Sequence, residues 1–160
     1  MISYLKGTVM HKTTGSVMLL CGSTGYEVQV PALRLPKYTL QQECEFYISY
    51  QQREDAVSLY GLESWAERDF FLTLLNVSGV GPKSALAIIG QSTLTGLYQA
   101  ISGENVDFLC KVPGIGKKTA QRMVLELKDK LPQSMLDQVG DEGFDIPAAQ
   151  PMAAPMRRDR

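Results

Sequence analysis

Val112-Pro113-Gly114-Ile115-Gly116-Lys117-Lys118-Thr119-Ala120 decides the fold of this chain, because the same pattern stands 35 positions earlier as Val77-Ser78-Gly79-Val80-Gly81-Pro82-Lys83-Ser84-Ala85. Both copies read apolar, any residue, glycine, apolar, glycine, any residue, lysine, hydroxyl, alanine. Glycine adopts backbone angles that are closed to other residues and leaves no side chain to block a ligand. The repeat therefore predicts two tight hairpins, each leading into a helix.

The two hairpins carry the chemistry of a phosphate site. Val80 and Ile115 are expected to anchor them in the core, while the following backbone N–H groups lie at a helix start, where partial positive charge attracts phosphate. Lysine adds a full charge there, and Arg122 falls one turn beyond Lys118. Because phosphate contacts carry no base information, we expect DNA binding that ignores sequence and responds to salt. The predicted DNA-binding residues are Gly79, Gly81, Lys83, Gly114, Gly116, Lys117, Lys118 and Arg122.

Other interpretations of the repeat were weighed. One copy alone would suit a plain helix–turn–helix connection with glycine caps, but two copies that agree at six or more positions, lysine included, argue against it. A nucleotide P-loop would need glycine five residues before Gly116, and that position holds Lys111.

Charge does not decide the partner. Residues 1–62 hold five basic and five acidic residues, residues 63–131 eight and seven, and residues 132–160 three and five, so the segments carry 0, +1 and -2 and the whole chain -1. The placement of the cations matters more than their sum.

The repeat lies in the second of three predicted regions, and the chain as a whole predicts an α+β fold. Residues 1–62 show about five short runs that alternate with period two, such as Gly25 to Val30, which favours a closed barrel. Residues 63–131 follow a helical pattern that opens with a capping box at Ser64 and Glu67, has stops at Gly79, Gly90, Gly103 and Pro113, and ends with a helix from Lys117 to Leu131. The apolar face of its first helix is predicted to consist of Trp65, Phe71, Leu72 and Leu75. Residues 132–160 are rich in proline and alanine and predict a flexible linker or tail.

Several functional classes are disfavoured. The chain has no apolar run long enough to cross a bilayer and no signal peptide at Met1, so a cytoplasmic protein is expected. Cys21, Cys44 and Cys110 lie far apart in a chain that has a single histidine, which predicts isolated reduced thiols in or near a core rather than a zinc site or disulfide. We predict no catalytic residue, no metal and no cofactor.

The paired hairpins resemble helix-hairpin-helix motifs, and residues 1 to about 131 resemble the RuvA family, the Holliday-junction-binding subunits of the bacterial branch-migration complex. The most specific stretches are Arg53-Glu54-Asp55-Ala56, Leu59-Tyr60-Gly61, Gly79-Val80-Gly81-Pro82-Lys83, Ala85-Leu86-Ala87-Ile88 and Pro113 to Ala120. The resemblance implies an oligonucleotide-binding (OB) type barrel, a five-helix second domain and a homotetramer, or eight copies on DNA, that holds the junction open and nearly square. It also implies the RuvB ring ATPase as a partner and the RuvC resolvase as a candidate partner, in DNA recombination and repair.

The resemblance also gives a role to Glu54 and Asp55, which by themselves suit an ordinary solvated turn between strands. In the family these carboxylates form an acidic pin near the four-fold axis. Like-charge repulsion there would keep phosphates out of the junction centre and guide separated strands into the arms.

The sequence departs from the family pattern at its end. Family members carry a third, motor-binding helical domain after the linker, whereas residues 132–160 match the linker alone. We therefore expect junction binding without stimulation of the partner ATPase. Two alternatives stay open: a general duplex-binding module, and a nuclease in which Glu54 and Asp55 hold Mg²⁺.

Overall fold

The computed structural model describes residues 1–131, and its N-terminal part is a five-stranded closed barrel. The strands are β1 (Tyr4–Lys12), β2 (Ser16–Cys21), β3 (Thr24–Gln29), β4 (Glu43–Gln52) and β5 (Val57–Leu62). They are hydrogen-bonded in the order β1-β2-β3-β5-β4, and β1 pairs with β4 to close the barrel. All pairs are antiparallel except the short parallel pair of β3 with β5. Closure leaves no sheet edge open to another chain.

Alternating apolar residues fill the barrel. Val9, Val17, Val28 and Phe46 are fully buried in it, as the period-two pattern requires. Between β3 and β4 the chain crosses the barrel as a 3-10 turn, Ala32–Lys37. This crossover brings residues 31–38 against the helices that follow.

Five α-helices make up the rest of the described chain. They are α1 (Trp65–Leu75), α2 (Pro82–Gln91), α3 (Leu94–Ser102), α4 (Val106–Cys110) and α5 (Lys117–Leu127), and a 3-10 turn, Lys128–Lys130, follows α5. Their apolar faces share a core that also takes in Tyr60 and Leu62 of β5. The last strand of the barrel therefore belongs to the helical core as well.

The predicted α+β fold, a barrel followed by helices, is confirmed. The division into separate domains at residues 62 and 63 stays a prediction, and the predicted linker, residues 132–160, lies outside the described residues. The three thiols lie where expected, since Cys21 and Cys44 pack against the barrel core and Cys110 packs against the helical core.

Four local predictions need correction. The final α-helix ends at Leu127 and not at Leu131, because the chain tightens into the 3-10 turn. Gly90 lies inside α2 rather than at its end. Trp65 is 50% exposed and does not belong to the buried face of α1, which is formed by Phe70, Phe71 and Leu74.

The fourth correction concerns the capping box. Ser64 caps α1 as predicted by accepting a hydrogen bond from the Glu67 N–H at 3.1 Å. The Glu67 carboxylate, however, accepts from the Glu63 N–H at 2.9 Å and not from the N–H of Ser64. An arginine from the barrel crossover holds that carboxylate in its place.

Candidate nucleic-acid interface

The two hairpins have the same backbone geometry. In each, the N–H of the central residue, Val80 or Ile115, donates to the carbonyl three residues earlier at 3.1 Å, and both side chains are buried. The N–H of the motif's alanine donates to the carbonyl of the second glycine at 2.9 Å in both copies. The repeat in the sequence is thus a repeat in structure, and the anchoring role predicted for Val80 and Ile115 agrees with their burial.

The first glycine of each hairpin is required by the backbone. Gly79 has φ +90° and Gly114 has φ +84°, a left-handed region that other residues rarely adopt. A Cβ at Gly79 would in addition meet the Thr119 hydroxyl at 3.3 Å. These two glycines shape the turn.

The second glycine of each hairpin has a different function. Gly81 and Gly116 have φ -91° and -82°, values open to any residue. A Cβ at either position would meet nothing within 4 Å, so these glycines face open space. Their missing side chains leave the backbone N–H groups of the helix start accessible from outside.

The helices that follow the hairpins are also the ones without side-chain caps. Among the five described helices, α1, α3 and α4 are capped by Ser64, Thr93 and Asn105, whereas neither α2 nor α5 receives a side-chain cap at its N-terminus. Uncapped N–H groups together with the positive end of the helix dipole favour a bound anion. The two helix starts are therefore suited to phosphate.

The hairpins lie against each other. The Thr119 side chain of the second motif is the nearest neighbour of Gly79, and the Ser84 side chain of the first motif is the nearest neighbour of Gly114 at 3.8 Å from a built Cβ. The two motifs are therefore adjacent in the fold.

The predicted cations surround these helix starts. Lys83, Lys117, Lys118 and Arg122 are exposed, and within residues 1–131 none of them forms an ion pair. Unpaired exposed cations are available to neutralise phosphates. The second hairpin is the more basic, because Lys117 and Arg122 correspond to Pro82 and Ala87 in the first.

The acidic pair lies near the first hairpin. Glu54 and Asp55 are exposed in the tight turn between β4 and β5, where the Arg53 N–H donates to the Ala56 carbonyl at 2.8 Å. Asp55 of this turn and Gly81 and Lys83 of the first hairpin line the same cleft, which has a volume of about 440 Å³. A carboxylate of the acidic turn and a lysine of the first hairpin thus line one cleft.

Sequence reasoning missed Lys111, which entered only as the residue that rules out a P-loop. Lys111 precedes the second hairpin and, together with Lys83, lines a second cleft of about 670 Å³ between the barrel and α2. Its motif counterpart is Asn76, so the repeat gave no signal for a cation there.

Metal ligands and membrane spans were searched over residues 1–131. In that range no three His, Cys, Asp or Glu residues come together in a way that could hold a metal ion. No helix in the same range has the length and apolar character needed to cross a membrane.

A closed barrel followed by tandem hairpins with uncapped helix starts defines the barrel plus helix-hairpin-helix class of proteins. Residues 1–61 match the family model of the RuvA N-terminal domain, and residues 71–129 match that of the SAM-like helix-hairpin-helix tandem. The chain is also 46% identical over 132 residues to the Holliday junction branch migration complex subunit RuvA of Staphylococcus aureus strains Newman, COL and JH9. This chain belongs to the RuvA family, as its motifs predicted.

The matched region covers 82% of this chain and 66% of each of those relatives. The chain thus spans slightly less than two thirds of their length. Its described part corresponds to the barrel and the helix-hairpin-helix tandem.

Proposed function

We propose that this chain binds four-way (Holliday) junction DNA through the sugar-phosphate backbone, without regard to base sequence and without a catalytic step of its own. The observation that carries the proposal is the mutual packing of two hairpins whose helix starts are uncapped and surrounded by unpaired cations. The relatives named as Holliday junction branch migration subunits support the same substrate.

The acidic turn, Glu54 and Asp55, suits the DNA-binding surface to junctions rather than to DNA in general. Lys83 of the first hairpin attracts phosphate to the 440 Å³ cleft, which is also lined by Asp55, and Asp55 with its exposed neighbour Glu54 repels phosphate. Around a symmetry axis, this arrangement would hold duplex arms at the periphery and keep the centre free of backbone. We propose that Glu54 and Asp55 act as this acidic pin.

We further propose that four copies, or eight on DNA, hold the junction open and planar in recombination and repair. The RuvB ATPase would then move the arms, and the RuvC resolvase is a candidate to act on the same complex. The family resemblance supports this assembly.

Reversing one cation in each hairpin tests the proposal. The double substitution Lys83→Glu/Lys118→Glu replaces attraction by repulsion at both helix starts, and we expect affinity for a synthetic four-way junction to fall at least about a hundredfold, the loss of two charge-assisted contacts of ~1.5–3 kcal/mol each. Electrophoretic mobility shift or fluorescence anisotropy at several salt concentrations measures it.

The matched control is Lys6→Glu/Lys128→Glu, which changes the net charge equally at two exposed ion pairs away from the hairpins. Its junction affinity should change far less, because exposed ion pairs contribute little and no phosphate contact is proposed there. Unchanged affinity of the hairpin variant, or an equal loss in the control, would contradict the proposal.

The assembly has its own test. Analytical ultracentrifugation or native mass spectrometry should give four copies per particle without DNA, and four or eight copies per junction with it. A monomer that stays monomeric on the junction would contradict the tetramer while leaving backbone binding intact.

The main alternative is a module that binds any duplex, which the hairpins taken alone would favour. Competition between a junction and a linear duplex of equal length separates the two functions. The proposed function requires a clear preference for the junction, and equal competition would support the alternative.

The second alternative is a Mg²⁺-dependent nuclease at Glu54 and Asp55. Two adjacent carboxylates are few ligands for phosphodiester cleavage, which usually gathers several around one or two ions. Specific cleavage of a labelled junction in the presence of Mg²⁺ would favour this enzyme over an architectural protein.

A further inference from the structure

Arg34 of the barrel crossover reaches into both helices that frame the first hairpin. Its Nη1 and Nη2 donate to the two carboxylate oxygens of Glu67 in α1 at 2.8 and 2.6 Å. Nη2 also donates to the Ile89 carbonyl in α2 at 3.2 Å. One guanidinium thus joins the barrel to two helices.

This contact is nearly closed to solvent. The side chains of Arg34 and Glu67 are 12% and 10% exposed, and the Arg34 Nη1 lies 3.5 Å from the Glu63 carboxylate. Glu67 accepts in addition from the Glu63 N–H, so its carboxylate is held both by the crossover and by the link between β5 and α1. A planar guanidinium with two parallel bonds fixes direction as well as distance, which a lysine ammonium cannot do.

Beside Arg34, α2 packs closely against the barrel crossover. A Cβ on Gly90 of α2 would stand 2.7 Å from the Pro31 Cβ of the crossover, which is closer than real side chains approach. On the other side, Arg68 of α1 donates through Nε to the Ile48 carbonyl of β4 at 2.6 Å. The C-terminal half of α2 thus contacts the barrel crossover next to the Ile89 carbonyl, to which Arg34 donates.

The other end of α2 carries the first hairpin. The helix runs from Pro82 and Lys83 to Gln91, so an orientation set near Ile89 and Gly90 also sets where Lys83 lies. The barrel carries Asp55 in the β4–β5 turn, and Asp55 and Lys83 both line the 440 Å³ cleft. The width of that cleft depends on how α2 is docked on the barrel.

We propose that Arg34 is a positioning residue for junction specificity: by clamping α1 and α2 to the barrel, it fixes the distance between the phosphate-attracting hairpin and the phosphate-repelling acidic turn. The inference rests on the proposed function. Loss of the clamp leaves each hairpin able to bind backbone, so affinity for linear duplex is retained. Preference for a junction is lost, because only a junction requires both features at a set spacing.

The test uses Arg34→Met and the milder Arg34→Lys in the full chain. We expect Arg34→Met to lower the ratio of junction affinity to duplex affinity by about tenfold, which corresponds to ~1.4 kcal/mol, with duplex affinity unchanged. Arg34→Lys keeps the charge but not the two parallel bonds and should lower the ratio by a smaller factor. If Arg34→Met does not fold, the Arg34→Lys ratio decides, and an unchanged ratio overturns the inference.

General destabilisation is controlled by Val9→Ala, which opens a cavity in the barrel core away from the crossover. The parent, Val9→Ala and both Arg34 variants are compared well below their melting temperatures. Val9→Ala should leave the ratio unaltered, and an equal drop in Val9→Ala and Arg34→Met would show that Arg34 acts only through stability, which overturns the proposal.

A distance measurement reports on the clamp without DNA. Spin labels at the exposed positions Ser23 in the barrel and Thr95 in α3, with the native cysteines changed to serine, should show a broader distance distribution in Arg34→Met than in the parent. An equally narrow distribution overturns the clamp. If the unsubstituted protein shows no junction preference, the proposed function itself fails, whereas the distance measurement still judges the clamp.

Discussion

The two glycines of each hairpin have different roles: the first forms the turn, and the second leaves room for a phosphate beside the helix start. Gly79 and Gly114 lie at positive φ, so they are needed for the turn itself. Gly81 and Gly116 lie at ordinary angles and face open space, so the fold would accept a side chain there. Gly81 and Gly116 adopt backbone angles that any residue could adopt. We therefore expect their small size to matter, because it leaves room for a phosphate at the helix N–H groups.

Substitution of the two glycines of the second hairpin should therefore have different effects, one on stability and the other on junction binding. Gly114→Ala places a Cβ in the left-handed region and should cost about 1–2 kcal/mol of unfolding free energy. Gly116→Ala should change stability by less than ~0.5 kcal/mol yet weaken junction binding by roughly tenfold, because a methyl group obstructs a phosphate contact of ~1.5–3 kcal/mol. Chemical denaturation and anisotropy on the same samples check both. Equal stability losses, or full binding by Gly116→Ala, would contradict this division.

At the level of elements, the barrel crossover between β3 and β4 does more than connect strands. Besides Arg34, it presents Lys37 and Tyr38 to Glu63, the residue that links β5 to α1. Burial would raise the pKa of Glu63, but the hydrogen bond from Lys37 and the charge of Arg34 outweigh it and lower that pKa below its usual range. The crossover is thus an electrostatic connection between barrel and helices.

This connection predicts how stability responds to acid. Because the folded pKa of Glu63 is lowered, its contribution to stability is present above the unfolded pKa, about 4.5, and is lost as pH falls through the folded pKa. Glu63→Gln should be less stable than the parent near pH 7, and the difference should shrink below about pH 4. Unfolding free energies across this pH range test it. The control Glu43→Gln, which removes an exposed pair with Lys6, should show a smaller difference.

At the scale of the whole molecule, function depends on where opposite charges lie relative to each other. The net charge of -1 gives no hint of DNA binding, since acidic residues offset the hairpin lysines in the count. The fold assigns them to different elements: the cations lie at two helix starts, and the acidic pair lies in the turn between β4 and β5. Local potential, and not net charge, is what a phosphate meets.

Neutralising the acidic turn should raise the affinity for the junction and should also make the arrangement of the junction arms less open and square. Glu54→Gln/Asp55→Asn removes two repulsive charges, each worth at most about 1 kcal/mol at close range in water, so junction affinity should rise by up to roughly thirtyfold. Fluorescence energy transfer between labelled arms should show a less open, less square junction. Lower affinity with unaltered arm geometry would argue against the acidic pin.

The sequence alone determined the order of elements, the repeated hairpin and its charge, because these depend on local rules: period-two and helical patterning, glycine conformations and helix-start chemistry. Only the tertiary structure decided that the hairpins pack reciprocally through Thr119 and Ser84 and that Asp55 and Lys83 line one cleft. It also decided that the Glu67 carboxylate pairs with Arg34 and accepts from the Glu63 N–H rather than from the Ser64 N–H. Arg34 and Glu67 stand 33 residues apart in different elements. No local pattern encodes their pairing, because it arises only when the crossover is packed against α1 and α2.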